Sequence, residues 1–350
     1  ASGAHLKRFL SSLAKIGVTL ALLYWVFTRH DLSPVFAASP LWIVLAIVVF
    51  IISNFVGAYQ WQKLLQGQGI EFAFSRALNL YFIGLFFNTI LPGALGGDVV
   101  RVYSVSRVER KGREGLAATF VDRFAGFFVM SLFAVGASLA LIFWGETVET
   151  DILVYIAAIF LIFLAASAVL FSRRITRLLY EVLLARVSLK GLRDKFREGH
   201  EFFHAYRKQY GLGLQVFLLS VVIQFLRIAV HYLCARAIGF EIGMVYFLLF
   251  VPLIALAAVV PVSFGGLGVR ESTGRFLFAT MASIVAVDPA GSLAVTTQLL
   301  ASLVGILVGL AGGVMFAVTR HSARVEVADI QELAAGEGPA ERVDSTAEGG

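Results

Sequence analysis

The chain has 350 residues, of which 59% are hydrophobic and only 15% are charged, and its mean hydropathy is +0.84. These values exclude a soluble globular protein of this length and predict an integral membrane protein. The formal net charge of +6 is uneven, because residues 321–350 hold seven acidic side chains against two arginines. That segment predicts a disordered acidic tail, and the remaining basic portion is typical of loops that face an anionic cytoplasmic leaflet.

Six apolar runs are long enough to cross a bilayer, which takes about 20 helical residues. They cover residues 10–28, 41–61, 117–143, 152–171, 213–235 and 292–318. We therefore predict an all-α polytopic membrane protein with a single transmembrane domain over residues 1–320. The basic linker 172–212 has interspersed apolar residues and predicts amphipathic helices on the cytoplasmic surface.

Two shorter apolar runs, 77–91 and 245–260, end at the same sequence signature. Residues 92–101 read Pro-x3-Gly-Gly-x3-Arg, and residues 261–270 repeat this pattern 169 positions later. Proline disfavours a continuing helix and paired glycines allow unusual backbone angles, so each run predicts a broken helix. A break at membrane depth is tolerated only where protein or water covers it. We therefore expect both breaks to line a cavity.

The distribution of Lys and Arg predicts the orientation of these segments. Basic residues place both termini in the cytoplasm, and the acidic linker 145–151 faces outside. By parity, the broken hairpin at 77–113 enters from the cytoplasmic side and the one at 245–287 from the outer side. This predicts an inverted repeat, with repeat one over 41–143 and repeat two over 213–318. The hairpins either re-enter or cross fully twice, and the inversion holds in both cases.

The residues after each Gly pair predict half-helices whose N-termini suit an anion. Arg101 and Arg270 lie about one turn into them and can hold a phosphate bidentately. Charges within spans, such as Arg227, indicate a function by default, because burying them in a membrane is costly. The alternatives are glycine-rich turns with Arg at the headgroup level and, for Asp98, a helix N-cap. The predicted substrate site comprises Asn88, Gly96, Gly97, Asp98, Arg101, Arg123, Arg227, Ser263, Gly265, Gly266 and Arg270.

Three further ionisable residues are predicted to couple transport to an ion or to form ion pairs: Glu271, His231 and Asp122. His231 shares a helix face with Arg227 and either relays a proton or simply bonds a backbone carbonyl. Glu271 is either a counter-ion of its neighbour Arg270 or a carboxylate that carries a proton. Asp122 and Arg123 diverge by about 100° as adjacent helix residues, so each is expected to pair with another element.

The sequence predicts no enzyme, because it carries no nucleophile elbow, zinc-protease motif or phosphate-binding Walker loop. No catalytic residue, metal site or cofactor is expected. A nucleic-acid partner is not expected either.

The family resemblance rests on the two Gly-Gly signatures in order. The combination of Asn88, Leu91-Pro92-Gly93, Gly96-Gly97-Asp98 and Arg101, then Asp122-Arg123, then Pro261, Ser263, Gly265-Gly266, Gly268 and Arg270-Glu271 resembles the lysylphosphatidylglycerol synthase transmembrane family, also called flippase-like membrane proteins. The resemblance covers roughly residues 10–320. In two-domain members the membrane half is thought to move the modified lipid, while a soluble domain transfers the amino acid. For this chain the resemblance implies a stand-alone membrane domain that moves lipid without aminoacyl transfer.

The leading hypothesis is therefore a flippase of the bacterial inner membrane. It would carry an anionic or zwitterionic phospholipid or a polyprenyl-linked lipid by alternating access. One alternative is a proton- or ion-coupled carrier of a small anion. Another is a non-transporting scaffold that binds a lipid-synthesising or lipid-modifying enzyme through its basic linker.

Overall fold

The computed structural model describes residues 33–91, 96–171, 209–260, 265–280 and 287–323, with the single positions 17, 20, 21, 24, 28, 206 and 263. Within these residues there is no strand, and a short helical turn at Ser33–Phe36 precedes nine longer helices. The helices are α1 Pro40–Gly67, α2 Phe74–Ile90, α3 Gly96–Glu109, α4 Gly112–Phe143, α5 Thr150–Phe171, α6 Tyr210–Ala237, α7 Met244–Val259, α8 Val269–Thr280 and α9 Val287–Ala323. The predicted all-α polytopic membrane fold is confirmed.

Five of these helices are long and apolar enough to cross a bilayer, namely α1, α4, α5, α6 and α9. They correspond to five of the six predicted spans. The sixth, at residues 10–28, lies outside the described residues except at isolated positions that are helical. Most of the basic linker 172–212 and the tail beyond residue 323 also lie outside them.

Two pairs of short helices occupy the places where broken helices are predicted. The first hairpin consists of α2, residues 91–95 and α3, and the second consists of α7, residues 260–268 and α8. α2 has 17 residues and α7 has 16. At about 1.5 Å per residue, helices of this length reach about 25 Å, which is less than the ~30 Å hydrocarbon core. Full crossing or re-entry of the hairpins stays a prediction.

The order and packing of the helices repeat. α1–α4 and α6–α9 each run long, short, short, long. α1 packs on α6, α2 packs on α9, and α7 packs on α4. If each helix of α1–α4 is exchanged with its counterpart in α6–α9, the same pairs of helices remain in contact. One buried apolar cluster contains Phe247 and Phe250 of the second hairpin. Another contains Trp61 of α1 together with residues of the first hairpin.

α1 and α6 are antiparallel along their whole contact. At one end the Ser39 N–H donates to the carbonyl of Ala237 at 2.8 Å, and at the other the Tyr206 hydroxyl donates to the carbonyl of Leu64 at 2.8 Å. Equivalent helices that run in opposite directions are a requirement of an inverted repeat. The inversion itself stays a prediction, and the antiparallel pair favours it.

Candidate functional site

A cavity of about 270 Å³ lies where the two hairpins meet inside the bundle. The end of α2 and the second break touch there, since a methyl group placed on Gly265 would lie 3.4 Å from the carbonyl oxygen of Asn88. Eight of the fourteen predicted residues line this cavity: Asn88, Arg101, Asp122, Arg123, Arg227, His231, Gly265 and Arg270. The remaining six do not line it: Gly96, Gly97, Asp98, Ser263, Gly266 and Glu271. Of these, Gly97 and Asp98 hydrogen-bond to the lining residues Asn88 and Arg123. The structure thus gathers residues from both hairpins, and their role in binding stays a prediction.

The first hairpin is closed by main-chain contact. A Cβ on Gly97 would lie 2.0 Å from the carbonyl oxygen of Gly84, so only glycine lets α2 and α3 approach this closely. The Gly97 N–H donates to Asn88 Oδ1 at 2.7 Å and so satisfies one free donor at the start of α3. Gly97 is helical and its φ is not positive, so this glycine is required for packing and not for the unusual backbone angle that the sequence suggested.

Arg101 is held by carboxylates and aromatic rings. It is 2% exposed, hydrogen-bonds to Asp98, and its Nη1 lies 3.6 Å from Asp122 Oδ2. Its guanidinium lies 5.2 Å and 4.7 Å from the ring centroids of Trp61 and Tyr81. Cation–π contacts of this kind are strengthened by desolvation. The charge of Arg101 is therefore compensated by protein groups, although its Nη1 makes no hydrogen bond to a described residue.

Asp98 joins α3 to α4. The Nε of Arg123 donates to Asp98 Oδ2 at 2.6 Å, and its Nη2 donates to Oδ1 at 2.9 Å, which is a bidentate pair. The alternative role of Asp98 as an N-cap is wrong, because α3 begins at Gly96 and Asn88 provides the cap.

Asp122 turns away from its neighbour Arg123, as adjacent helix positions require. Its Oδ1 accepts from Gln60 Nε2 at 3.0 Å, and Gln60 Oε1 accepts from the Ser220 hydroxyl at 3.0 Å. The chain of bonds ties α4 to α1 and α6, so the charges of the first hairpin belong to a buried, connected network.

The second hairpin is built differently. Gly265, Gly266 and Gly268 have φ of 59°, 76° and 81°, a region that other residues rarely adopt, as their place in the break predicts. α8 then begins at Val269. The carboxylate of Glu271 turns back and accepts from the Gly268 N–H at 2.6 Å, and it also accepts from the Ser302 hydroxyl at 3.2 Å. Glu271 is fully buried, so the acid of this hairpin satisfies the start of the helix and not an arginine.

Arg227 and Arg270 face the cavity without a carboxylate partner among the described residues. Arg227 Nη2 donates to the hydroxyl of Tyr81 at 3.1 Å, which is a neutral acceptor. The two arginines are near enough to repel each other electrostatically. Two such cations at one cavity inside a membrane protein favour an anion as ligand, because uncompensated charge is costly in a low dielectric.

Neutral polar groups complete the wall. Asn54 Oδ1, Gln224 Oε1 and His231 Nδ1 are buried at the cavity and have no hydrogen-bond partner in the part of the chain that is described. They are therefore available to a ligand that carries both donors and acceptors. Among the described residues, no group of three or more His, Cys, Asp or Glu side chains is placed to hold a metal ion.

Comparison with known proteins agrees with this architecture. The family model described as the lysylphosphatidylglycerol synthase transmembrane region matches residues 12–314. The chain belongs to this family. The match includes both hairpins and every residue that lines the cavity.

Two archaeal proteins are similar over most of their length. A UPF0104 membrane protein of Pyrococcus horikoshii is 26% identical over 336 residues, which covers 89% of this chain and 96% of that protein. A UPF0104 membrane protein of Methanothermobacter thermautotrophicus is 24% identical over 303 residues, which covers 79% of this chain and 84% of that protein.

Several cavity residues were missed from the sequence: Asn54, Gln60, Tyr81, Thr89 and Ser302 among the polar ones. The sequence signal was present for Asn54 and Gln60, which are amides within an apolar span and are 0% and 2% exposed. Tyr81 carried no signal, because a tyrosine in a short apolar helix is unremarkable until its hydroxyl meets Arg227.

Proposed function

We propose that this membrane protein moves a lipid between leaflets by holding its phosphate-bearing headgroup in the cavity between the hairpins. The observation that carries this proposal is the pair Arg227 and Arg270, which face one cavity and have no carboxylate partner within the described part of the chain. A phosphate would supply the missing negative charge and accept several hydrogen bonds from the guanidinium groups.

The size and composition of the cavity support a headgroup as its occupant. About 270 Å³ lies just below the ~300–1,000 Å³ of sites that enclose drug-sized ligands. Much of the wall is apolar, with Phe127, Met130, Ile223 and Ile254 among its residues. A headgroup can enter such a space while its acyl chains remain in the bilayer, which avoids the cost of enclosing them. The family to which the chain belongs is named for a lipid-synthesising enzyme, which also supports a lipid.

The test is reconstitution of the full chain into vesicles that contain fluorescent phosphatidylglycerol, with transbilayer movement followed by quenching of the outer leaflet. We expect movement with the natural sequence and its loss in the double variant Arg227→Gln, Arg270→Gln. The matched control is Arg236→Gln, because Arg236 lies on the same helix, α6, but outside the cavity and beside Glu241. Equal rates in the double variant and the control would refute the proposed site.

A small soluble anion is the second candidate, because the cavity is small enough to enclose one. The same vesicles distinguish the two substrates. Uptake of labelled inorganic phosphate without lipid movement would identify an anion carrier. Absence of both would identify a non-transporting protein.

A further inference from the structure

Glu271 is a fully buried carboxylate that makes no ion pair within 4.0 Å among the described residues. Its two oxygens contact the Gly268 N–H and the Ser302 hydroxyl. Ser302 also lines the cavity, so the carboxyl group is one hydrogen bond away from the space assigned to the substrate. Neither the site proposed above nor the helix cap alone explains why an acid stands here, since an amide could make the same two contacts.

The surroundings satisfy Glu271 in both protonation states. When the group is ionised, both oxygens accept, one from an N–H and the other from the serine hydroxyl. When it is protonated, Oε2 still accepts from Gly268, while Oε1–H donates to Ser302 Oγ, because a hydroxyl can rotate and act as donor or acceptor. Gain or loss of the proton therefore requires rotation of one hydroxyl and no repacking of α8 against α9.

The charge of Glu271 is linked electrostatically to the anion site. Burial of Glu271 disfavours its charged form, and the positive field of its neighbour Arg270 in the first turn of α8 opposes that effect when the cavity holds no anion. A phosphate bound at Arg227 and Arg270 would offset that field and place a like charge nearby. Both effects favour the protonated carboxyl.

We propose that Glu271 is a proton-binding site that takes up a proton when an anionic headgroup binds at Arg227 and Arg270, which couples substrate movement to protons. This inference rests on the proposed function and adds the coupling ion to it. By reciprocity, protonation of Glu271 must strengthen anion binding by the same factor.

Few other ionisable groups face this position. α6 contributes Arg227 and His231, and α8 itself contributes Arg270 and the exposed Arg275. α7 carries only Tyr246, near its first residue, and α9 carries none between Ser292 and Val318. Among the described groups of these helices, His231 is the competing proton acceptor, and it needs its own variant.

The experiment is calorimetric titration of the purified full chain with dihexanoylphosphatidylglycerol in two buffers of different ionisation enthalpy, over a range of pH. With the natural sequence we expect uptake of up to about one proton per bound lipid, and affinity that rises by up to about tenfold for each pH unit of acidification. Glu271→Gln, which mimics the protonated group, should bind at every pH with the affinity of the acidic form and take up no proton. His231→Gln should keep the proton uptake per bound lipid, whatever its effect on lipid affinity.

Each other outcome contradicts the inference at a defined point. Binding without proton uptake, or uptake that persists in Glu271→Gln, would overturn the role of Glu271 and leave the proposed function standing. Uptake that disappears only in His231→Gln would assign the proton to the histidine. No binding of the lipid by the natural sequence would refute the proposed function itself.

Ser302→Ala tests the same inference should Glu271→Gln fail to fold. It leaves the carboxylate and its Gly268 contact in place but removes the hydroxyl that donates to the ionised form and accepts from the protonated form. Because a hydrogen bond to a carboxylate is stronger than one to a neutral carboxyl, the pH at which lipid binding takes up its proton should rise, and an unchanged midpoint would contradict the assignment.

Discussion

The two hairpins share one sequence signature but treat its arginine in opposite ways. In the first, an acid lies three residues before Arg101, and Asp98 therefore binds it directly. In the second, Leu267 occupies the position equivalent to Asp98, and the acid lies at Glu271, equivalent to Val102. From there it satisfies the helix start and leaves Arg270 without an ion pair among the described residues. A shift of one carboxylate thus separates an arginine that stabilises the fold from an arginine available to a ligand.

The comparison predicts its largest effect at Arg101. Arg101→Gln leaves Asp98 and Asp122 short of a buried counter-charge and should destabilise the protein by about 3–5 kcal/mol. Arg270→Gln removes a cation that pairs with no carboxylate among the residues the structure describes, and it should leave stability nearly unchanged or slightly higher. Thermal unfolding of both variants in detergent measures the difference. Equal destabilisation would show that the two arginines contribute equally to the stability of the fold.

The close contact of the first hairpin gives the next effect. Gly97→Ala places a methyl group against the carbonyl of Gly84, where neither backbone can yield easily, and should cost about 1–3 kcal/mol. Gly136→Ala is the matched control, because it lies in a helix with no atom within 4 Å of the added methyl. Thermal unfolding checks both variants. Equal melting temperatures would contradict a close main-chain contact at Gly97.

An acid introduced into the second hairpin at the position equivalent to Asp98 tests whether Arg270 is available to a ligand. Leu267→Asp places a carboxylate at the position equivalent to Asp98, where it can pair with Arg270 and compete with a bound anion. We expect lipid affinity to fall by about tenfold, which corresponds to about 1.4 kcal/mol, with little loss of stability. Leu267→Asn is the control without charge. Equal affinities of the two variants would show that Arg270 does not bind the lipid.

The smallest effect is predicted at Tyr81, which contacts Arg101 and Arg227. Tyr81→Phe keeps the ring beside Arg101 but removes the hydroxyl that accepts from Arg227. The loss of one hydrogen bond, about 1 kcal/mol, should change lipid affinity by less than tenfold and leave the first hairpin intact. Lipid titration measures the change in affinity, and thermal unfolding of the same sample measures stability. A large loss of stability would contradict a role of the Tyr81 hydroxyl in holding Arg227 alone.

The sequence predicted the membrane helices and the places where they break, because hydropathy, proline and paired glycines act locally. It also predicted the arginines of the cavity, since a charge in an apolar run is conspicuous. It could not predict that Asp98 binds Arg123, because the two lie 25 residues apart on helices whose relative rotation is set by packing. For the same reason Arg101 and Arg270 looked equivalent, although their surroundings differ in three dimensions.

The end of α2 meets the second break through backbone atoms. On one side of this contact stand main-chain carbonyls, those of Asn88 and Thr89, and on the other the α-carbon of Gly265. A contact made by backbone atoms does not depend on which side chains those two residues carry. This contact can therefore persist when residue 89 is replaced, whereas position 88 is restricted by its hydrogen bond to Gly97, and position 265, with its φ of 59°, tolerates little besides glycine.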